Sequence, residues 1–218
     1  MRGRVCGGLG AILSGSVLSF AHGGSLGIVW AVGSIDFMAN AKGISVGATA
    51  DRVYVCVVGR GTFQNSQPLC QYTTEMVNRG FTRFTVDIGQ CTAMDSTFLG
   101  VLAGIGLRLG QKQAAGGEVS LVNVDSRQRE LLTTLGLDRL FVIHPRNGQS
   151  ADSVIPGEVQ LQPLAESDVK PGDKDAAARV MLDAHRNLIQ ADDRNLPKFE
   201  NLTDQLTRRV GEPPEPER

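Results

Sequence analysis

The residues best placed to do chemistry in this sequence are Asp95, Ser96 and Thr97, which stand together where one backbone period gives way to another. Ahead of them Phe84, Val86 and Ile88 alternate with Thr85 and Asp87, the period of a strand with one face on a core. Behind them Phe98, Leu102, Ile105 and Leu109 fall at i, i+4, i+7 and i+11, one stripe of a helix. Oxygen-bearing side chains at such a junction accept hydrogen bonds from the free N–H groups of a first helical turn, so one reading of the cluster is a cap. The other is a regulated hydroxyl. At a helix N-terminus Ser96 would be held near the surface, where unpaired N–H groups and the helix dipole favour negative charge, and a phosphate could sit there without unfolding the helix. No metal triplet, glycine cradle or paired carboxylate surrounds Ser96 in the sequence. The position therefore reads as a substrate for another enzyme, in a protein expected not to be an enzyme and to use no cofactor or metal.

The elements that must position this cluster follow from the flanking sequence. Ile44 to Ala48 is a short strand, and after a turn at Thr49 to Asp51 comes Val53 to Val58, a nearly continuous apolar run of the kind covered on both faces. Gly59 and Gly61 break it. Ser66, with Pro68 just inside, starts a helix whose Leu69, Thr73, Met76 and Val77 share a face and which ends at Gly80. The central strand and helix come next, and Gly116-Gly117 stop the latter. Glu118 to Val124 form another strand, Asp125 and Gln128 have capping-box spacing at the head of a helix closed by Gly136, and Leu140 to Ile143 is a last short strand. The order β-β-α-β-α-β-α-β predicts an α/β fold with a mixed sheet, its helix-separated strands parallel and a hairpin at one end. Gly100, Gly104, Gly106 and Gly110 lie within the central helix at up to ~1 kcal/mol each. Close packing of that helix on the sheet is the expected compensation.

Together, the strand and turn, the run MDSTFLGVLAG from Met94 to Gly104, the LVNV strand and the closing segment ELLTTLGLDRLFVI resemble a STAS domain, the fold of the bacterial anti-sigma-factor antagonists. The resemblance runs from near Ile44 to Ile143. It implies a binding protein whose Ser or Thr, directly after an Asp at the helix start, is phosphorylated by a partner that is both anti-sigma factor and GHKL-type serine kinase. The matching pair here is Asp95-Ser96, which makes Ser96 the expected phosphoacceptor. Unphosphorylated, such a protein binds the anti-sigma factor and frees the sigma factor. Asp95, Thr97, Gly59 and Thr62 are the partner-binding residues the resemblance implies. Where the family commonly has Asp-Ser-Ser-Gly-Leu-Gly, Thr97-Phe98-Leu99-Gly100 follows Ser96, so a ring replaces a glycine and should turn inward. The partner-facing turn, often acidic in the family, is here Gly59-Arg60-Gly61-Thr62. The alternative within the same fold is a non-phosphorylated STAS scaffold subunit of a transport or signalling complex.

At 218 residues and a formal net charge of −1, the chain offers no general case for nucleic-acid or membrane attraction. Charge is slightly basic before Ile44, near neutral to Pro145 and acidic beyond. Cys6, Cys56, Cys70 and Cys91 are scattered, which fits reduced thiols in a cytoplasmic protein. Val5 to Ile35 contains no acid, Lys or Arg, yet glycine and serine interrupt it throughout. Translation from Met38 ranks ahead of a cleaved signal, and that ahead of an anchor, so 1–43 is set apart as an extension, with the STAS domain at 44–145. A linker at 146–173 follows, in which Val159-Gln160-Leu161 could add an edge strand.

The segment 174–210 then reads as a helical hairpin. Ala177, Val180, Met181, Ala184 and Leu188 mark one apolar face, and Leu196, Phe199, Leu202, Leu206 and Val210 mark the other. The tail 211–218 reads as disordered. Either the hairpin folds back over the sheet domain or it forms a homodimer or partner-docking module. His144 and His185 stand alone and read as structural or solvated.

Overall fold

The computed structural model describes residues 42–111, 116–146, 155–164 and 174–211, which belong to one compact unit, Asp36–Arg218. The expectations for the start at Met38, for the tail and for much of the linker lie outside the described residues.

Strand β1 (Gly43–Ala48) turns back into β2 (Arg52–Gly61) as an antiparallel hairpin, closed where Thr49 N–H donates to the Arg52 carbonyl at 2.9 Å. Then α1 (Phe63–Asn78), β3 (Arg83–Met94), α2 (Ser96–Gln111), β4 (Glu118–Val124), α3 (Ser126–Thr134) and β5 (Val142–Pro145) alternate. Strands β2 to β5 pair in parallel, and a short β6 (Gln162–Pro163) adds antiparallel to β1, giving the order β5-β4-β3-β2-β1-β6. The architecture is the expected mixed α/β sheet. Each helical crossover moves one strand further in the same direction, and right-handed connections then place α1, α2 and α3 on one face. Val53, Val55, Val57, Phe84, Val86, Ile88 and Leu121 point to that face and are fully buried against Leu69, Phe98, Leu102, Ile105 and Leu132. Such side chains stabilise the fold by roughly 1.5–3 kcal/mol each.

Local details differ from the sequence reading. Helix α1 starts at Phe63, three residues before the expected Ser66: Asn65 Oδ1 accepts from Thr62 N–H at 2.8 Å and Ser66 Oγ donates to the Thr62 carbonyl at 2.8 Å. These bonds satisfy the entry to the helix, leaving Pro68 inside it. The added edge strand is β6 rather than Val159 to Leu161. Val159 and Leu161 instead lie against Gly47, where any Cβ would crowd them.

At the C-terminal end, α4 (Lys174–Ala191) and α5 (Leu196–Val210) form a hairpin joined by a short 3-10 turn, Asp193–Asn195. Ala178, Leu182 and Leu206 make a small core between the two helices, whereas Ala184 and Leu188 belong to the core of the sheet domain. The turn is pinned to the end of α3. Asn195 is fully buried, and its Nδ2 donates to the carbonyls of Leu135 at 2.9 Å and Leu188 at 2.8 Å.

Gly100 and Gly104 compensate their helix cost against α4 rather than against the sheet. A Cβ on Gly100 would collide with the Ala184 backbone, and one on Gly104 with the Asn187 side chain. Asn187 Nδ2 also donates to the Gly100 carbonyl at 3.1 Å. Ser96, Gly100 and Gly104 are spaced i, i+4, i+8, so a hydroxyl and two bare backbone steps form the ridge on which α4 lies.

Candidate functional site

The carboxyl ends of β2 and β3 bring the starts of α1 and α2 together, and Asp95 ties them. Its backbone N–H donates to the Gly61 carbonyl at 3.0 Å. Its carboxylate accepts from two helix starts, Oδ2 from Phe63 N–H at 2.8 Å and Oδ1 from Phe98 N–H at 2.9 Å. Asp95 is therefore the cap of α2 and a clamp on α1 at once, with negative charge where both helix dipoles favour it. Phe98 is fully buried and lies against Gly61, where a Cβ would overlap its ring. The ring turns inward, as its place in the helical stripe requires.

Ser96 does not serve as the cap. It is half-buried, and its Oγ lies 2.9 Å from Nε2 of His185 on α4. The other ring nitrogen, Nδ1, lies 2.7 Å from the Met181 carbonyl. A carbonyl only accepts, so Nδ1 carries the proton, and in the neutral imidazole Nε2 is left to accept from the Ser96 hydroxyl. His185 is 1 % exposed. Burial pushes its pKa below the ordinary 6.5, while the Met181 carbonyl and the Asp95 carboxylate pull the other way. The Phe199 ring of α5 closes the remaining side, with centroids 5.0 Å apart.

The other expected site residues are distributed as follows. Gly59 has φ +92° at the end of β2, and its carbonyl accepts from Thr92 Oγ1 at 2.9 Å. Thr62 is half-buried at the entry to α1 beside Asp95. Gly59, Thr62, Asp95 and Ser96 thus share one end of the sheet. Thr97 does not join them: it is 4 % exposed and faces inward, because the residue after Ser96 turns back toward the core in the first helical turn, so it offers no partner-facing side chain in this conformation.

His185, read from the sequence as structural or solvated, is buried between Ser96 and Phe199. It stands four positions after Met181 and next to Ala184, at the rim of the apolar stripe of α4, and that was the available signal for burial. Among the described residues no group of three His, Cys, Asp or Glu side chains is arranged to hold a metal. Nor is any described helix long and apolar enough to cross a membrane. Cys91 is buried and Cys56 and Cys70 are half-buried, all three outside disulfides; burial raises the pKa of the Cys91 thiol.

A helix-covered, largely parallel sheet with an Asp-Ser pair opening its second helix defines a class, and comparison with known families names it. The family described as "Mlab, STAS domain" matches residues 44–143, and this part of the chain is a STAS domain. Among solved structures, a proposed anti-sigma factor antagonist of Thermotoga maritima is similar at 18% identity and a TM-score of 0.43, covering 51% of this chain and 90% of its own. The anti-sigma factor antagonist SpoIIAA in its unphosphorylated form is similar at 17% identity and a TM-score of 0.37, covering 41% of this chain and 81% of its own. A comparison with curated proteins found no match.

Proposed function

We propose that this chain is a phosphorylation-switched binding protein of the anti-sigma-factor-antagonist type, cytoplasmic, which holds an anti-sigma factor when Ser96 is unmodified. The observation that carries this reading is the position of Ser96: the first residue of α2, directly after the capping Asp95, within a STAS domain. The free N–H groups and dipole of that helix start favour a phosphate there. The expected partner is a GHKL-type serine kinase, whose docking surface includes Gly59, Thr62 and Asp95.

The test joins the purified chain with a candidate kinase and ATP, reading phosphate incorporation in wild type and Ser96→Ala and partner affinity for each. Incorporation confined to wild type, with constitutive binding by Ser96→Ala, supports the switch. Equal incorporation in both moves the acceptor elsewhere.

One observation favours a second reading, a STAS scaffold subunit of a transport or signalling complex that is never phosphorylated. The Ser96 hydroxyl already has a partner in His185. Absence of incorporation, with recovery of a transport assembly by affinity purification, would support that reading.

A further inference from the structure

Helix α4 lies on the ridge of α2 that begins at Ser96, and the contact has three parts that work together. Gly100 lets the α4 backbone approach at Ala184 more closely than any side chain would allow. Asn187 reads the Gly100 carbonyl. His185 closes over the Ser96 hydroxyl, its ring wedged between that hydroxyl and Phe199. The ridge is suited to one occupant, a helix presenting a small residue, an imidazole and an amide within about one turn, and the chain supplies that helix itself.

We propose that α4 and α5 are a built-in occupant of this surface, and that the seated hairpin and a phosphate on Ser96 exclude each other. The proposal rests on reading Ser96 as the phosphoacceptor and adds the regulation of that site. The Ser96 Oγ points at Nε2 from 2.9 Å, so phosphorus bonded to Oγ, with its three oxygens, would stand where the imidazole now is. In the transfer, the Oγ–P bond forms as the bond from the γ-phosphorus of a nucleoside triphosphate to its bridging oxygen breaks. The diphosphate leaves, and the Oγ proton passes to a base of the transferring enzyme. The seated hairpin obstructs that reaction sterically. Once the phosphate is in place it also obstructs reseating, because its charge, about −1.5 to −2 at pH 7, would have to enter a site closed by Phe199 and a neutral ring. The hairpin therefore protects the unmodified state, and its release precedes modification.

The hairpin has the means to leave as a unit. Ala178, Leu182 and Leu206 give it a core of its own. Its anchors on the sheet domain include the α2 ridge, Ala184 and Leu188 in the core, and the pin at Asn195. They also include the Lys198 ammonium donating to the Thr134 carbonyl at 3.2 Å and the Arg139–Asp192 ion pair at 3.9 Å, while Val180, Ala191 and Phe199 pack against the same core.

The experiment compares three forms of the full chain by backbone hydrogen–deuterium exchange read by mass spectrometry: unmodified, with phosphoserine incorporated at position 96, and Gly100→Ala. Gly100→Ala is informative because alanine strengthens α2 itself while colliding with α4. In both altered forms, peptides from 174–210 should exchange roughly a hundredfold faster while those from β3 and β4 keep their rates. Unchanged protection of 174–210 with phosphoserine at position 96 overturns the proposal, since the imidazolium would then be holding the phosphate beneath a seated hairpin. Loss of protection in β3 and β4 together with the hairpin also overturns it, since α4 would then be inseparable from the fold. No kinase takes part, so failure here is distinct from failure of the phosphorylation reading.

Discussion

Ser96 and His185, 89 residues apart in the chain, meet at 2.9 Å, and the serine that opens α2 is held by a buried ring rather than by solvent. Ser96→Ala leaves His185 Nε2 without its partner in a buried site, at a cost of about 1–3 kcal/mol. The loss should fall on the hairpin and not on the sheet. Exchange of α4 amides is expected to accelerate roughly tenfold to a hundredfold, with β3 and β4 unchanged; equal acceleration of the sheet would show that Ser96 supports the whole domain.

Asp95 carries the opposite expectation, because both of its oxygens serve the sheet domain. Asp95→Ala removes an acceptor from each of two helix starts, about 1 kcal/mol apiece, so global stability should fall by about 2 kcal/mol. Chemical denaturation measures this directly. Asp95→Asn keeps one acceptor oxygen and should lose about half as much.

The helix glycines separate into different outcomes. A Cβ on Gly110 meets nothing within 4 Å, so Gly110→Ala should stabilise the protein by up to ~1 kcal/mol. Gly61→Ala would press into the Phe98 ring and should cost ~1–3 kcal/mol. Melting curves of the two variants should shift in opposite directions. A rise for both would mean that Phe98 has room to move.

Acid should loosen the hairpin through His185. Its folded pKa lies below the ordinary 6.5 because the ring is buried, with the Met181 carbonyl and the Asp95 carboxylate that caps α2 opposing the shift. Between those two values the unfolded state binds more protons, so the stability contribution is complete above about pH 6.5 and is lost as the pH falls toward the folded pKa. Urea unfolding of α4 at a series of pH values from neutral downward measures the slope, and His185→Gln should flatten it.

The central elements were legible because their periods are clean. The alternation of Phe84, Val86 and Ile88 and the helical stripe from Phe98 to Leu109 each describe a face that is buried as read. The Asp125–Gln128 box also forms in both directions, at 2.7 and 2.9 Å. The start of α1 was misplaced because Pro68 suggests a first turn, whereas the bonds made by Asn65 and Ser66 to Thr62 decide it. The stripe on α4 announced a buried face but not what it buries against. Periodicity records that a side chain leaves water, and only the three-dimensional path of the intervening chain selects Ser96, Gly100 and Gly104 as the receiving surface.

That separation along the chain also sets an order in time. Synthesis proceeds from the N-terminus, so β1 to β5 and the ridge on α2 leave the ribosome before α4 has been made. At roughly 5–20 residues per second the interval from the end of β5 to the end of α4 is about two to ten seconds. For that interval the nascent chain presents Ser96 with no imidazole above it. Whatever reaches α2 during synthesis meets an open surface that the finished protein has closed.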